Sequence, residues 1–409
     1  MTSRPPRSPA PSRPASRRAV LSAAAPLLVS GCSLPTRLTA VPGDRRLGVS
    51  LLGLPNERFF VHERAGQVAL QREFTAATAR HASSRGLHPD RDLGERNLLA
   101  ISGGGEDGAF GAGLLTGWSE RGDRPEFFVV TGVSTGALTA PFAFLGSEWD
   151  AALRSVYTEI TLSDILVPRG FSAALFDDGM ADNTPLFRTI SRYMDERMLG
   201  EIAKAHLAGR LLLMGTTNLD AGRPVVWNIG AMASSGHPQA LDTVRRVMLA
   251  SAAIPGAFAP VLFEVSVDGV PHHELHVDGG VFAQAFLYPP TVGDARRQRI
   301  AEGRSIAPVR AWIIRNARLE TSGEQVNRRT LGIAGRAISS MIGSLGYNDI
   351  VRMYFAAERD HVDYNLAYIQ NDFTIPYTLP FDQAYMRPLF DYGRERMRRG
   401  DAWVKTPPA

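Results

Sequence analysis

The sequence predicts an α/β protein, with helices on both faces of a mostly parallel sheet. Short apolar runs alternate with helix-like stretches along most of the chain, the pattern of strands covered on two sides. Two of these runs pass straight into glycine-rich turns and then into helices, as strand–turn–helix units do. The chain has 409 residues and is 44% hydrophobic. That suits one large domain, or one with a small appendage, around a sizeable core.

The first 18 residues are rich in Pro, Ser and Arg and hold no acid. An apolar run over residues 19–31 follows, and then Cys32. A basic start, a short apolar stretch and small residues read as an export leader. The run is too short for a standard membrane span. Val29-Ser30-Gly31-Cys32 resembles a bacterial lipobox, in which Cys32 is acylated and becomes the mature N-terminus. Ser16-Arg17-Arg18 resembles a twin-arginine export signal. Ser33, where a retention signal has Asp, fits outer-membrane attachment in a host with two membranes. The expectation is an exported, lipid-anchored envelope protein. Cys32 is the only cysteine, so no intrachain disulfide forms. The whole chain carries +4, but residues 1–31 hold five Arg and no acid, so the mature chain carries −1. The basic character belongs to the leader, which argues against nucleic acid as a partner.

Residues 32–95 read as a tether or cover, broken by Pro35, Pro42 and Pro55, with a helix near 63–80. Asn97-Leu98-Leu99-Ala100-Ile101 reads as a short apolar strand. It runs into Ser102-Gly103-Gly104-Gly105-Glu106-Asp107-Gly108 and then a helix. Consecutive glycines before a helix leave backbone N–H groups open to an anion, as the oxyanion of an ester hydrolase requires. The same stretch spells G-x-G-x-x-G, which a dinucleotide-binding oxidoreductase would also show. That reading wants an acid at the end of the next strand. The strand ends instead in Val129-Val130-Thr131-Gly132.

Gly132-Val133-Ser134-Thr135-Gly136 follows that strand and precedes a helix. Strand, G-x-S-x-G, helix is the context of a nucleophile elbow. Further on, Asp-Gly at 268–269 makes a favoured hairpin turn. The returning strand ends in His276-Val277-Asp278-Gly279-Gly280, and Val277 and Phe282 point to apolar surroundings for Asp278.

Together these motifs resemble the patatin-like phospholipase family, over about residues 96–290. The match lies in the glycine loop Gly103 to Gly108, the elbow Gly132 to Gly136 and the motif Asp278-Gly279-Gly280. Asp182-Asn183-Thr184-Pro185-Leu186 and Ala250-Ser251-Ala252-Ala253-Ile254-Pro255 are similar to two softer family segments. The resemblance implies a three-layer α/β/α fold and a Ser–Asp dyad. Ser134 would be the nucleophile, Asp278 its base, and Gly103, Gly104 and Gly105 the oxyanion donors. The substrate would be a lipid or other ester, with no cofactor or metal required. The family's loop usually carries Asp where this chain has Ser102, and a basic residue where it has Asp107. A positive charge beside the loop is therefore expected to be missing.

Two further readings come from histidines. His272, Glu274 and His276 could share a strand face and bind zinc. His361 is the one histidine after Asp278 and could complete a Ser–acid–His order; a solvated helix-end role is the plainer reading. Downstream, strands are expected near 211–217, 225–229, 309–315 and 364–370, and helices near 241–250, 328–357 and 382–399. Met341, Leu345, Tyr347, Val351 and Tyr354 are expected in the core, and Arg245 and Arg246 on a solvated face. The division is leader 1–31, cover 32–95, catalytic core 96–290 and completing part 291–409. A silent envelope binding protein is the main alternative to an enzyme.

Overall fold

The computed structural model describes residues 37–88, 94–169, 178–319 and 330–408. The leader and Cys32 lie outside the described residues. The strands are β1 (Arg58–Phe59), β2 (Arg96–Ile101), β3 (Val129–Val133), β4 (Val167–Pro168), β5 (Ala181–Asp182), β6 (Leu211–Asn218), β7 (Arg223–Asn228), β8 (Val261–Val267), β9 (Val270–Asp278), β10 (Val309–Arg315) and β11 (Asp363–Tyr368). The main sheet runs β1-β7-β6-β3-β2-β10-β11, with β9 also on β6 and β8 on β9. Strands β6, β3, β2, β10 and β11 are parallel. The other four join antiparallel. Strands β4 and β5 pair separately.

The parallel strands read as unbroken apolar runs because both faces of the sheet are covered. Successive residues feed two cores. Leu99, Ile101, Val130, Leu212, Met214 and Ile314 face one. Leu98, Ala100, Val129, Leu211, Leu213 and Ile313 face the other. The first core packs under the helices Gly108–Arg121, Thr135–Leu145, Asp150–Thr158, Thr184–Tyr193, Glu196–Leu207, Ala240–Ser251 and Gln383–Arg399. The second packs under Arg64–Ser84 and Thr330–Arg359, with Pro290–Ala301 beside them. The α/β/α layering expected from the sequence is present.

Residues 37–60 are strapped along the β8–β9 hairpin. The Leu38 N–H donates to His273 Nδ1 at 3.1 Å, the His273 N–H donates to the Thr39 carbonyl at 3.1 Å, and Arg45 pairs with Asp268 at 3.0 Å. The helix Thr330–Arg359 buries Ile350, Met353 and Ala357, but Met341 is 64% exposed, against expectation. Thirty helical residues span about 45 Å, whereas a six-residue strand spans roughly 20 Å, so one end of this helix outruns the sheet. Arg245 and Arg246 also depart from the solvated face expected. Arg245 donates to the Met194 and Ser191 carbonyls, and Arg246 to the Leu262 carbonyl.

Candidate active site

Strand β6 brings the two motifs together. On one edge it pairs with β3 up to Val133 opposite Gly215. The next residue on that edge, Thr216, pairs with Asp278 of β9 arriving from the opposite direction. The two strands therefore end head to head. Ser134 leaves one end and Asp278 closes the other.

Ser134 has φ 56° and ψ −128°, a conformation that L-residues adopt only under constraint. The turn is tight enough that a Cβ on Gly132 would lie 2.4 Å from the Gly136 carbonyl oxygen, and one on Gly136 would lie 2.2 Å from that of Ile101. The helix Thr135–Leu145 starts directly behind the serine. The Ser134 N–H donates to Ser251 Oγ at 3.0 Å, and Ser251 Oγ donates to the Gly215 carbonyl at 2.7 Å. Two residues on, the Ala253 carbonyl accepts the Asp278 N–H at 2.9 Å. The segment noticed at 250–255 thus pins both motif residues, a role its sequence did not disclose.

Asp278 is 5% exposed, and its carboxylate accepts the Gly280 N–H at 2.7 Å. Burial pushes its pKa up to about 6, against the Ser134 hydroxyl it faces and the Gly280 N–H, which pull it down. Among the described residues no cation figures among its partners.

The glycine loop lies against the serine: a Cβ on Gly103 would sit 3.1 Å from Ser134 Cβ. The Gly103 N–H is not open to an oxyanion, because it donates to the Gln284 carbonyl at 3.1 Å. Among the described residues, no partner outside its own short turn takes the Gly104 or Gly105 N–H. Gly104 has φ 157°, and a Cβ there would fall 1.9 Å from the Asn316 carbonyl oxygen. Asn316 ties the loop further: its N–H donates to Ser102 Oγ and its Nδ2 to the Ser102 carbonyl, both at 2.9 Å.

The positive charge expected to be missing is present, from a different element. Arg315, at the end of β10, is 3% exposed, and its Nη1 lies 3.3 Å from both Ser102 Oγ and the Gly103 carbonyl oxygen. Burial lowers its pKa to about 10, with Asp349 and Asp107 opposing, so it stays cationic at neutral pH. Asp107 accepts the Tyr385 hydroxyl at 2.6 Å, and burial raises its pKa to about 6.

The zinc reading does not form. Arg58 holds Glu274 at 2.5 Å, His276 Nδ1 meets Thr216 Oγ1 at 2.9 Å, and His272 lies beside Thr39. Among the described residues no group of three His, Cys, Asp or Glu is placed to hold a metal ion. His361 is exposed just before β11, at the N-terminal end of the parallel strands and away from Ser134. An apolar cavity of about 60 Å³ abuts the loop and the elbow, lined by Gly105, Thr135, Leu138, Ile190, Met194 and Met248 among others.

No curated protein matches the chain. Among solved structures the chain is similar to VipD from Legionella pneumophila, at 12% identity, over 75% of this chain and 67% of that one, with a TM-score of 0.37. Residues 99–288, which hold Ser134 and Asp278 alike, match the family model described as patatin-like phospholipase. Over these residues the chain is similar to the patatin-like phospholipase family, a likeness that supports lipid ester hydrolysis in general.

Proposed function

We propose that the protein hydrolyses carboxylic esters of lipids with a Ser134–Asp278 dyad, as a phospholipase A, a lysophospholipase or a broader carboxylesterase. The observation that carries this is the head-to-head meeting of β3 and β9 on β6, which sets an elbow serine against a buried carboxylate with no cation beside it among the described residues. A carboxylate of ordinary pKa is a weak base for serine. One raised to about 6 is ionised at neutral pH yet closer to the proton it must take.

In this reading Asp278 takes the Ser134 proton as Oγ attacks the ester carbonyl carbon. The Gly104 and Gly105 N–H groups hold the oxyanion, and Arg315 adds positive potential behind them. The bond to the leaving alcohol breaks, and Asp278 returns the proton to it. Water then gives its proton to Asp278 and attacks the acyl-enzyme, which releases the acid and restores Ser134. The apolar cavity beside Thr135 would take the first part of the acyl chain. Its volume of about 60 Å³ corresponds to roughly two water-sized groups. The leader over residues 1–31 and an acylated Cys32 belong to the same proposal, since they would hold the site beside an envelope membrane. Among the described residues no helix is long and apolar enough to cross a membrane.

The test is hydrolysis of short and long p-nitrophenyl esters and of phospholipid vesicles, with Ser134→Ala and Asp278→Asn alongside and fluorophosphonate labelling as a second readout. Cleavage by the native protein, background rates in both variants and labelling lost with Ser134 support the dyad. Equal behaviour of native protein and Ser134→Ala refutes it and favours the binding-protein alternative.

A further inference from the structure

The opposite end of the sheet holds a second cavity that this chemistry does not use. It lies between the helices Arg64–Ser84 and Pro290–Ala301, over the N-terminal ends of β2 and β10 and the start of β3. A strand's length, roughly 20 Å, separates it from the strand ends that carry Ser134 and Asp278. Its volume is about 450 Å³, and Phe74, Leu98, Phe128, Val292 and Val309 give it apolar walls. At about 30 Å³ for each water-sized group this is room for roughly fifteen, enough for a long chain.

Arg96 lines this cavity and is only 9% exposed. Among the described residues its guanidinium has no ion pair, and its Nη1 is buried with no hydrogen-bond partner. Its Cζ lies 4.3 Å from the centre of the Phe128 ring. Burial lowers its pKa, and the nearby charge that adds to this is another cation, Arg85. The other arginines at the cavity are committed elsewhere. Arg296 donates to the carbonyls of Asp360, Ala307 and His361, and Arg299 to that of Ser305. A desolvated cation with no counter-charge among the described residues is costly to keep, and a buried polar group without such a partner calls for one.

We propose that this cavity is a second, non-catalytic site for an amphiphile with one anionic group, the anion on Arg96 and the tail along Phe74, Leu98 and Phe128. A fatty-acid carboxylate and the phosphate of an anionic lipid share this chemistry. The site stands on Arg96 and the cavity alone, whatever Ser134 does.

The test is binding of cis-parinaric acid, a fluorescent fatty acid, to the full chain as wild type, Arg96→Met and Arg96→Lys, with its methyl ester as uncharged control. The ester titrations are run in the Ser134→Ala background so that the ester is not cleaved. The wild type binds the acid at least tenfold tighter than the ester. Arg96→Met loses that difference and Arg96→Lys keeps most of it. Thermal unfolding controls for folding: Met in place of an unpaired buried cation leaves Tm unchanged or raises it, while the acid no longer raises Tm as it does in the wild type. Arg96-dependent sedimentation with phosphatidylglycerol vesicles, and not with phosphatidylcholine ones, assigns the anion to lipid phosphate. Arg96-dependent parinarate binding without it assigns the anion to a free carboxylate. Ser134→Ala gives the same affinities as wild type. Equal wild-type affinity for acid and ester overturns the proposal, whether or not Arg96→Met folds, and so does an Arg96→Met that folds and binds the acid as tightly as wild type.

Discussion

Two buried carboxylates stand four residues apart on β9, and they behave in opposite ways. Glu274 is 1% exposed and Asp278 is 5% exposed. Their spacing puts both on one face of the strand. Burial would raise Glu274, but the Arg58 guanidinium beside it and the His276 ring bring its pKa down to about 2. Asp278 meets the same burial with a hydroxyl and one N–H, and its pKa rises to about 6. Depth in the protein is nearly equal for the two. The presence of a cation decides which carboxylate is a fixed structural anion and which can exchange a proton near neutrality.

The contrast is tested most strongly at Asp278. If it is the base, Asp278→Asn and Ser134→Ala each lower kcat on a short p-nitrophenyl ester by about 10⁴-fold or more, the scale of losing one member of a catalytic unit. Glu274, by contrast, is expected to act on stability. The double variant should be no slower than the worse single one, because residues that act as a unit are not additive. Additive losses would mean that Asp278 acts elsewhere.

Removing the cation from Glu274 addresses the other half. Arg58→Met leaves a buried, unpaired carboxylate and is expected to lower stability by about 3–5 kcal/mol, measured by urea unfolding at neutral pH. Arg58 also donates to the Val49 carbonyl at 2.9 Å, so the strap over residues 37–60 should loosen with it. A loss under 1 kcal/mol would show that the pair does not hold the strap to β9.

Much of the catalytic end was legible in the sequence because its signals are local. The apolar runs gave β2, β3 and β6, and the glycine spacing gave the elbow at Ser134. The supports were not legible, because they depend on pairing across the chain. Arg58 and Glu274 are 216 residues apart, and Arg315 meets Ser102 across 213. The basic residue expected where Asp107 stands in the glycine loop is supplied by a strand more than 200 positions away. The Gly103 N–H shows the same dependence on pairing across the chain: it is taken by the Gln284 carbonyl, which no spacing rule indicates.

The loop gives the next prediction in size. Ala at Gly104 would put its Cβ 1.9 Å from the Asn316 carbonyl oxygen, so the loop must move away from Ser134. The expected loss in kcat is about 10²–10³-fold, as for removal of one oxyanion donor. Loss of rate with unchanged KM supports Gly104 as a donor; an unchanged kcat removes it from the oxyanion site.

The smallest effect isolates Asp278 in the resting protein. Its pKa moves from 3.8 unfolded to about 6 folded. The folded state therefore holds more protons than the unfolded one between these values, and the stability that Asp278 contributes is present below pH 4 and is lost as pH rises through 6. The difference of two pKa units corresponds to about 3 kcal/mol at most. Asn mimics the protonated acid, so Asp278→Asn should be more stable than wild type at pH 8 by up to that amount and equal to it at pH 4. Asp107 titrates in the same window, but it is common to both proteins and cancels in the difference. The same ionisation should appear in catalysis as a kcat/KM that climbs with pH through about 6 and then levels. A stability gap that does not change with pH, or a gap that widens toward acid, would mean that Asp278 is ionised well below pH 6, and the contrast with Glu274 would then be one of position rather than of charge.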